Sequence, residues 1–242
     1  MKGTLLHRSS LLIILILIVP ATTSFFPLHP VSSDMVTLDE QTVLLTGFGP
    51  FHTFDVNPSQ LIVETLNGSM IQEASVSGVT LPVDFEESVA CLIDAIEQIQ
   101  PDVIICLGLS PTATALEVER IGVNLKQEEY DDPWLLPHRI DPKGPFIRWS
   151  TLPTKAITTA IKNANISAVR SWSAGWYVCN AVLYDMLGYI KEQDLCIPAG
   201  FIHVPPLVSQ QPEGLELSTM IEAIECAIEV SVTTTLSDPI LC

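Results

Sequence analysis

Residues 103–107, VIICL, carry an apolar side chain at every position. A strand alternates its side chains between two faces, so such a run is stable only in a sheet covered on both faces. The covering layers have to come from this chain, and helical patterns stand on either side of the run. Phe85, Val89, Leu92, Ile93, Ile96 and Ile99 recur at helical spacing, which predicts an amphipathic helix over 85–100, ended by Pro101. Further apolar runs predict strands over 42–48, 79–83, 117–125, 168–171 and 200–204. Asn57 before Pro58 is an N-cap followed by proline at the first helical position, and a short helix should run to about residue 66. Helices are also expected over 153–163, after Cys179 through Val182, Leu183, Met186, Leu187 and Ile190, and over 215–230. Residues 126–150, rich in Pro, Asp and Trp, read as a hairpin or long loop. Strands alternating with helices predict a single three-layer α/β/α domain with a mostly parallel central sheet.

The ends of the chain read differently. Lys2 and Arg8 precede an unbroken apolar run over 11–19, Pro20 ends it, Ala21-Thr22-Thr23-Ser24 are small, and no acidic residue occurs before Asp34. This is the order of a secretory signal, with a run short of the about 20 apolar residues that a spanning helix needs. Residues 1–24 are therefore expected to direct export or membrane association, with cleavage near Ala21 to Ser24. A cytoplasmic protein is the alternative. Residues 25–40 read as a linker, 41–230 as the folded domain and 231–242 as a loose tail.

Charge narrows the partners. Asp and Glu number 28 against 11 Lys and Arg, a net charge of −17, and loss of Lys2 and Arg8 with the leader would take it to −19. Such a surface repels phosphate backbones and anionic bilayers, so no nucleic-acid partner is expected.

The chemistry has to come from a few side chains. Six cysteines are widely spaced and no Cys/His pair has the spacing of a zinc site, so no metal is expected. Cys91, Cys106 and Cys226 fall in helical or strand patterns, where buried thiols are the rule. Cys179 begins a helical pattern after Ala174-Gly175-Trp176-Tyr177-Val178. A thiol there meets the positive end of the helix dipole and unpaired N–H groups, which favour the reactive thiolate and can hold an oxyanion. A half-buried core cysteine is the bland alternative. His203 lies in GFIHVPP near the end of a buried strand, where α/β sheets bind ligands. His138 follows Pro137 in the irregular segment and reads as a surface residue, while His52 sits in a Gly/Pro turn and could line a site. Glu117 and Glu119 point the same way from one strand, and either could orient an imidazole. The pattern does not choose between them.

Four segments taken together resemble the pyroglutamyl-peptidase I family, also called pyrrolidone-carboxylate peptidases. They are Thr46–Phe51 (TGFGPF) with Asn57-Pro58-Ser59, the segment 108–124 ending in Glu119-Arg120-Ile121-Gly122-Val123-Asn124, SWSAGWYVCN at 171–180, and GFIHVP at 200–205. Order and spacing agree over about residues 41–230. The resemblance implies a cysteine peptidase that removes an N-terminal pyroglutamyl residue from peptides, with Cys179 as nucleophile, His203 as acid–base partner and Glu119, rather than Glu117, as the acidic third member. It also implies that Phe48 and Phe51 bind the lactam ring, with Asn57, Tyr177 and Val178 around it, that no cofactor is required, and that the chain forms a homodimer or tetramer. Two departures bear on the site. Residues 109–115 read LSPTATA where the family commonly has a Gly-Gly-Arg run, and Glu117 stands where a small hydroxyl residue is usual. The leader is a third, because the family is usually cytoplasmic. A cysteine hydrolase for another small acyl amide, or a non-catalytic exported binding protein, are the alternatives.

Overall fold

A computed structural model describes residues 41–127 and 136–237. The predicted leader, the linker and residues 238–242 of the tail lie outside the described residues. The chain runs β1 (Gln41–Phe48), α1 (Pro58–Leu66), β2 (Met70–Ile71), β3 (Ala74–Leu81), α2 (Phe85–Ile99), β4 (Val103–Leu109), β5 (Leu116–Glu119), β6 (Ile121–Val123), β7 (Ile147–Trp149), α3 (Thr154–Asn163), β8 (Ala168–Ser171), α4 (Val178–Glu192), β9 (Ala199–Val204) and α5 (Leu217–Ser237). Seven strands form one sheet in the order β2-β3-β1-β4-β9-β5-β8, and β6 and β7 form a separate antiparallel pair. Pairings of β1 with β3 and β4, of β4 with β9, and of β5 with β8 are parallel, while β2–β3 and β5–β9 are antiparallel. The expected α/β domain with a mostly parallel sheet is what the chain forms.

The VIICL run sits in β4 near the middle of this sheet, buried at all seven positions of the strand. Val103, Ile105 and Leu107 pack with Ile62, Ile157, Ile161, Met220 and Ile224, which come from α1, α3 and α5. Ile104 and Cys106 pack on the other face with Leu92, Ile96, Val182 and Met186, which come from α2 and α4. Each fully buried aliphatic side chain contributes roughly 1.5–3 kcal/mol relative to exposure, so both layers are needed. Chain direction matters for the site. From β1 the chain goes to β3 on one side and then crosses back to β4 on the other. This reversal opens a crevice at the carboxyl ends of β1, β4 and β9.

Local signals match where they are chemical. Asn57 caps α1, accepting from Ser59 N at 3.1 Å, and Asp84 caps α2, accepting from Glu86 and Glu87 N, both at 2.9 Å. Gln100 ends α2 in the left-handed region with φ 50.

Four expectations need correction. The strand predicted over 79–83 is β3 at Ala74–Leu81, because its first half, ASVSG, is too small and polar to signal burial but pairs with all of β1 from Gln41 to Phe48. The single strand predicted over 117–125 breaks at Arg120 into β5 and β6, which join different sheets. Arg120 is the junction: its backbone N–H donates to Ser171 O of β8 at 3.0 Å, its carbonyl accepts from Ser150 N just after β7 at 2.9 Å, and its guanidinium lies 3.3 Å from the centre of the Trp172 ring. The segment 126–150 contains β7, which pairs with β6. The last helix passes residue 230 and continues to Ser237, so the loose tail cannot begin at 231. There the hydroxyls of Ser231, Thr233 and Thr234 each donate to the carbonyl four residues back at 2.7 Å, and Val232 is buried. Polar composition hid a helix whose hydroxyls are satisfied internally.

Candidate active site

The carboxyl ends of β4 and β9, the start of α4 and the turn after β1 enclose a cavity of about 590 Å³. That is within the range of small-ligand sites. Cys179 and His203 both line it.

Cys179 is the second residue of α4. The turn before the helix needs Gly175, whose φ of 76 an L side chain rarely adopts. Tyr177, the N-cap, supplies no side-chain cap, and the first intrahelical bond runs from Ala181 N to Tyr177 O at 3.2 Å. The N–H groups of Val178, Cys179 and Asn180 therefore precede the ladder, at the positive end of the helix. Gly108 of β4 makes room for the thiol, since a Cβ there would stand 2.9 Å from Cys179 Sγ and 2.8 Å from Phe201 Cζ.

His203 comes from β9 and is 6% exposed. Its Nδ1–H donates to Glu119 Oε1 at 2.8 Å, which leaves Nε2 for the Cys179 thiol, also a hydrogen-bond partner of this ring. Burial works to lower the pKa of the imidazole. The charge of Cys179 and the bonds to Cys179 and Glu119 overcome it and raise the pKa to about 10. Glu119 is fully buried, and its Oε2 has no hydrogen-bond partner.

The two glutamates are separated by register. Glu117 lies directly across the antiparallel pair from His203. It is half-buried and lines the cavity, whereas Glu119 lies two residues deeper and reaches back to the ring. Ligand atoms of Glu117, Glu119 and His203 all lie within 4.8 Å of one another. Such a trio resembles a metal ligand set, but Nδ1 of His203 is already bonded to Glu119.

Cys106 supplies a contrast. It lies on the same face of the sheet, but burial pushes its thiol up to about 12, with Thr46 opposing the shift. Cys91, Cys106, Cys179 and Cys226 are free thiols and Cys196 is disulfide-bonded.

Phe48, Phe51, Asn57, Tyr177 and Val178 all line the cavity. Phe51 packs on Tyr177 at 5.7 Å, and Phe85 meets Tyr177 edge-on at 5.1 Å, forming one aromatic wall. Asn57 is 1% exposed and spends its side chain on structure, donating to Gly49 O at 2.8 Å and accepting from Ser59 Oγ at 2.8 Å. It shapes the wall, and Ser59 Oγ then accepts from Phe48 N at 3.0 Å. His52 and His138 are exposed, and neither is among the residues lining the cavity.

Sequence reasoning missed Leu109, Thr112, Gln127 and Trp176, which also line it. No local pattern marks them, because loops from distant parts of the chain converge here. Asn180 was also without a role. Fully buried, it accepts from Val123 N at 2.9 Å and donates to Val123 O and Leu125 O, both at 2.8 Å. These bonds tie the segment after Glu119 to the helix that carries Cys179.

Residues 41–236 match the family model described as pyroglutamyl peptidase. The pyrrolidone-carboxylate peptidase 1 of Caldanaerobacter subterraneus subsp. tengcongensis is 38% identical over 200 residues, which cover 78% of this chain and 97% of that protein. A pyrrolidone-carboxylate peptidase of Bacillus cereus is 34% identical over 204 residues, 80% of this chain and 94% of that one. Among solved structures, the pyrrolidone carboxyl peptidase from Thermococcus litoralis aligns with a TM-score of 0.77 at 34% identity, covering 82% of this chain and 96% of that chain. The Bacillus amyloliquefaciens pyroglutamyl peptidase I aligns with a TM-score of 0.75 at 33% identity, covering 80% and 98%.

Proposed function

This chain belongs to the pyroglutamyl peptidase family of cysteine peptidases, and from that premise we propose that Cys179, His203 and Glu119 carry out its removal of N-terminal pyroglutamate from peptides. The observation that carries the assignment is His203 held between Glu119 and Cys179 on the wall of one cavity. Neither another acyl specificity nor a non-catalytic binding role finds support in the comparisons.

The lactam is neutral and flat, and the aromatic wall of Phe48, Phe51 and Tyr177 offers it an apolar seat. The Cys179 thiolate attacks the pyroglutamyl carbonyl carbon. The resulting oxyanion lies against the N–H groups that open α4. When the C–N bond breaks, His203 gives its proton to the departing amine, leaving a thioester. His203 then takes a proton from water, the hydroxide attacks the thioester, and Cys179 leaves as thiolate. The products are pyroglutamate and a peptide shorter by one residue. Glu119 keeps the ring oriented and stabilises its charged form, and no metal enters any step. Purified protein should hydrolyse a pyroglutamyl coumarylamide, be inactivated by alkylation of Cys179 and be indifferent to chelators. Activity lost to a chelator and restored by added metal would overturn this assignment.

We also propose that the protein is exported. The leader's basic residues, short apolar run and small-residue end support this. Peptide mapping of protein from its native host tests it, and an intact Met1 in cytosolic protein overturns it. A homo-oligomer is proposed on the family resemblance and on the exposed Val169, Trp149 and Trp172. Light scattering decides it.

A further inference from the structure

We infer that Glu117 selects the second residue of the substrate by charge, favouring peptides in which a basic residue follows pyroglutamate and disfavouring those with an acidic one. The inference rests on the proposed thiol mechanism and adds a subsite to it.

The argument starts from strand order. Across the crevice the strands run β1, β4, β9, β5. Phe48 ends β1, Leu109 ends β4, His203 is near the end of β9, and Glu117 is near the start of the antiparallel β5. The carboxyl edge thus presents, in order, the aromatic seat, the reacting thiol with its histidine, and Glu117. At about 4.8 Å per strand, β1 and β5 are roughly 14 Å apart. A lactam over β1 and β4 with its carbonyl at Cys179 leaves the side of β9 and β5 open to the rest of the peptide. It passes His203, which must reach the departing nitrogen, and arrives over β5. The cavity of about 590 Å³ has room for more than a five-membered ring.

Glu117 is suited to read what arrives. Among the described residues that line the cavity it is the only Asp or Glu. Glu119 lies beneath it, fully buried and committed to His203. Among the described residues no hydrogen bond or ion pair engages the Glu117 carboxylate. It is half-buried, so solvent screens it less than a surface charge. A guanidinium or ammonium from the second residue would find an acceptor there, while a carboxylate would meet a like charge. Trp176, also on the wall and 47% exposed, offers a face for the aliphatic stem or planar head of such a side chain.

The test measures kcat/KM for three peptide amides of equal length, with pyroglutamate followed by Ala, Arg or Glu. The unmodified enzyme should favour Arg over Glu by about tenfold at low ionic strength, and the ratio should shrink in 0.5 M salt. Glu117→Gln and Glu117→Ala should bring the ratio close to one, whatever each does to turnover. The general negative field of the protein cannot mimic this, because each variant removes one charge from a net −17. An Arg:Glu ratio near one in the unmodified enzyme, or one that persists in both variants, overturns the inference. Failure to cleave even the Ala peptide would instead overturn the thiol mechanism beneath it.

Discussion

Glu119 and His203 are joined by a 2.8 Å hydrogen bond across antiparallel strands, though 84 positions separate them in the chain. The bond leaves the second imidazole nitrogen for Cys179. The charge of Cys179 and the contacts of both partners overcome burial and set the His203 pKa at about 10. In an unfolded chain the imidazole would titrate near 6.5.

The first prediction concerns pH. Because folding raises the His203 pKa, the stability it contributes is fully present below about pH 6.5 and is lost as pH rises through about 10. The same titration removes the proton destined for the leaving amine. The value of kcat/KM should therefore fall as pH rises through about 10, and in Glu119→Gln this alkaline limb should move to lower pH. A limb that stays in place in the variant, measured on pyroglutamyl coumarylamide, means that Glu119 does not act through His203.

The second concerns the thiols. Cys179→Ala should lose roughly 10⁴-fold or more in kcat, while Cys91→Ser and Cys226→Ser retain most of it. Iodoacetamide should label Cys179 first and Cys106 last, since burial pushes the Cys106 thiol up to about 12. Peptide mapping after brief alkylation checks the order.

The third concerns Gly108. A methyl group there meets Cys179 Sγ at 2.9 Å and the edge of the Phe201 ring at 2.8 Å. Gly108→Ala should fold yet shift the thiol by a fraction of an ångström to an ångström, costing about 10²-fold in kcat. Unchanged circular dichroism with unchanged kcat would show that the close approach is not used.

The fourth concerns Asp185, on the helix that carries Cys179. Burial, only partly opposed by Arg148, raises its pKa from 3.8 to about 6. Its contribution to stability is then present below about pH 3.8 and lost as pH rises through about 6. Asp185→Asn should be more stable than the parent at pH 7.5, by roughly 1 kcal/mol after allowing for partial exposure, and should lose that advantage only below the unfolded pKa of 3.8, by about pH 3. Thermal melts at the two pH values decide it.

Some of this protein is legible in the chain itself. The apolar run of β4 requires two covering layers, and period-two alternation puts Glu117 and Glu119 on one face. Proline after Asn57 marks the start of α1, and the helical pattern after Cys179 places that thiol at a helix N-terminus. Each of these depends on residues a few positions apart, where backbone geometry alone relates them. The tertiary structure decided what depends on register and convergence. Periodicity does not rank Glu117 against Glu119, because both share a face and only the pairing of β5 with β9 shows which is deeper. Burial of Asn180, the stacking of Arg120 on Trp172, and the arrival of Leu109, Gln127 and Trp176 on one cavity are equally non-local. A side chain's local sequence sets the direction in which it points from its strand or helix. What it meets there is set by segments tens of residues away, and only packing brings those together.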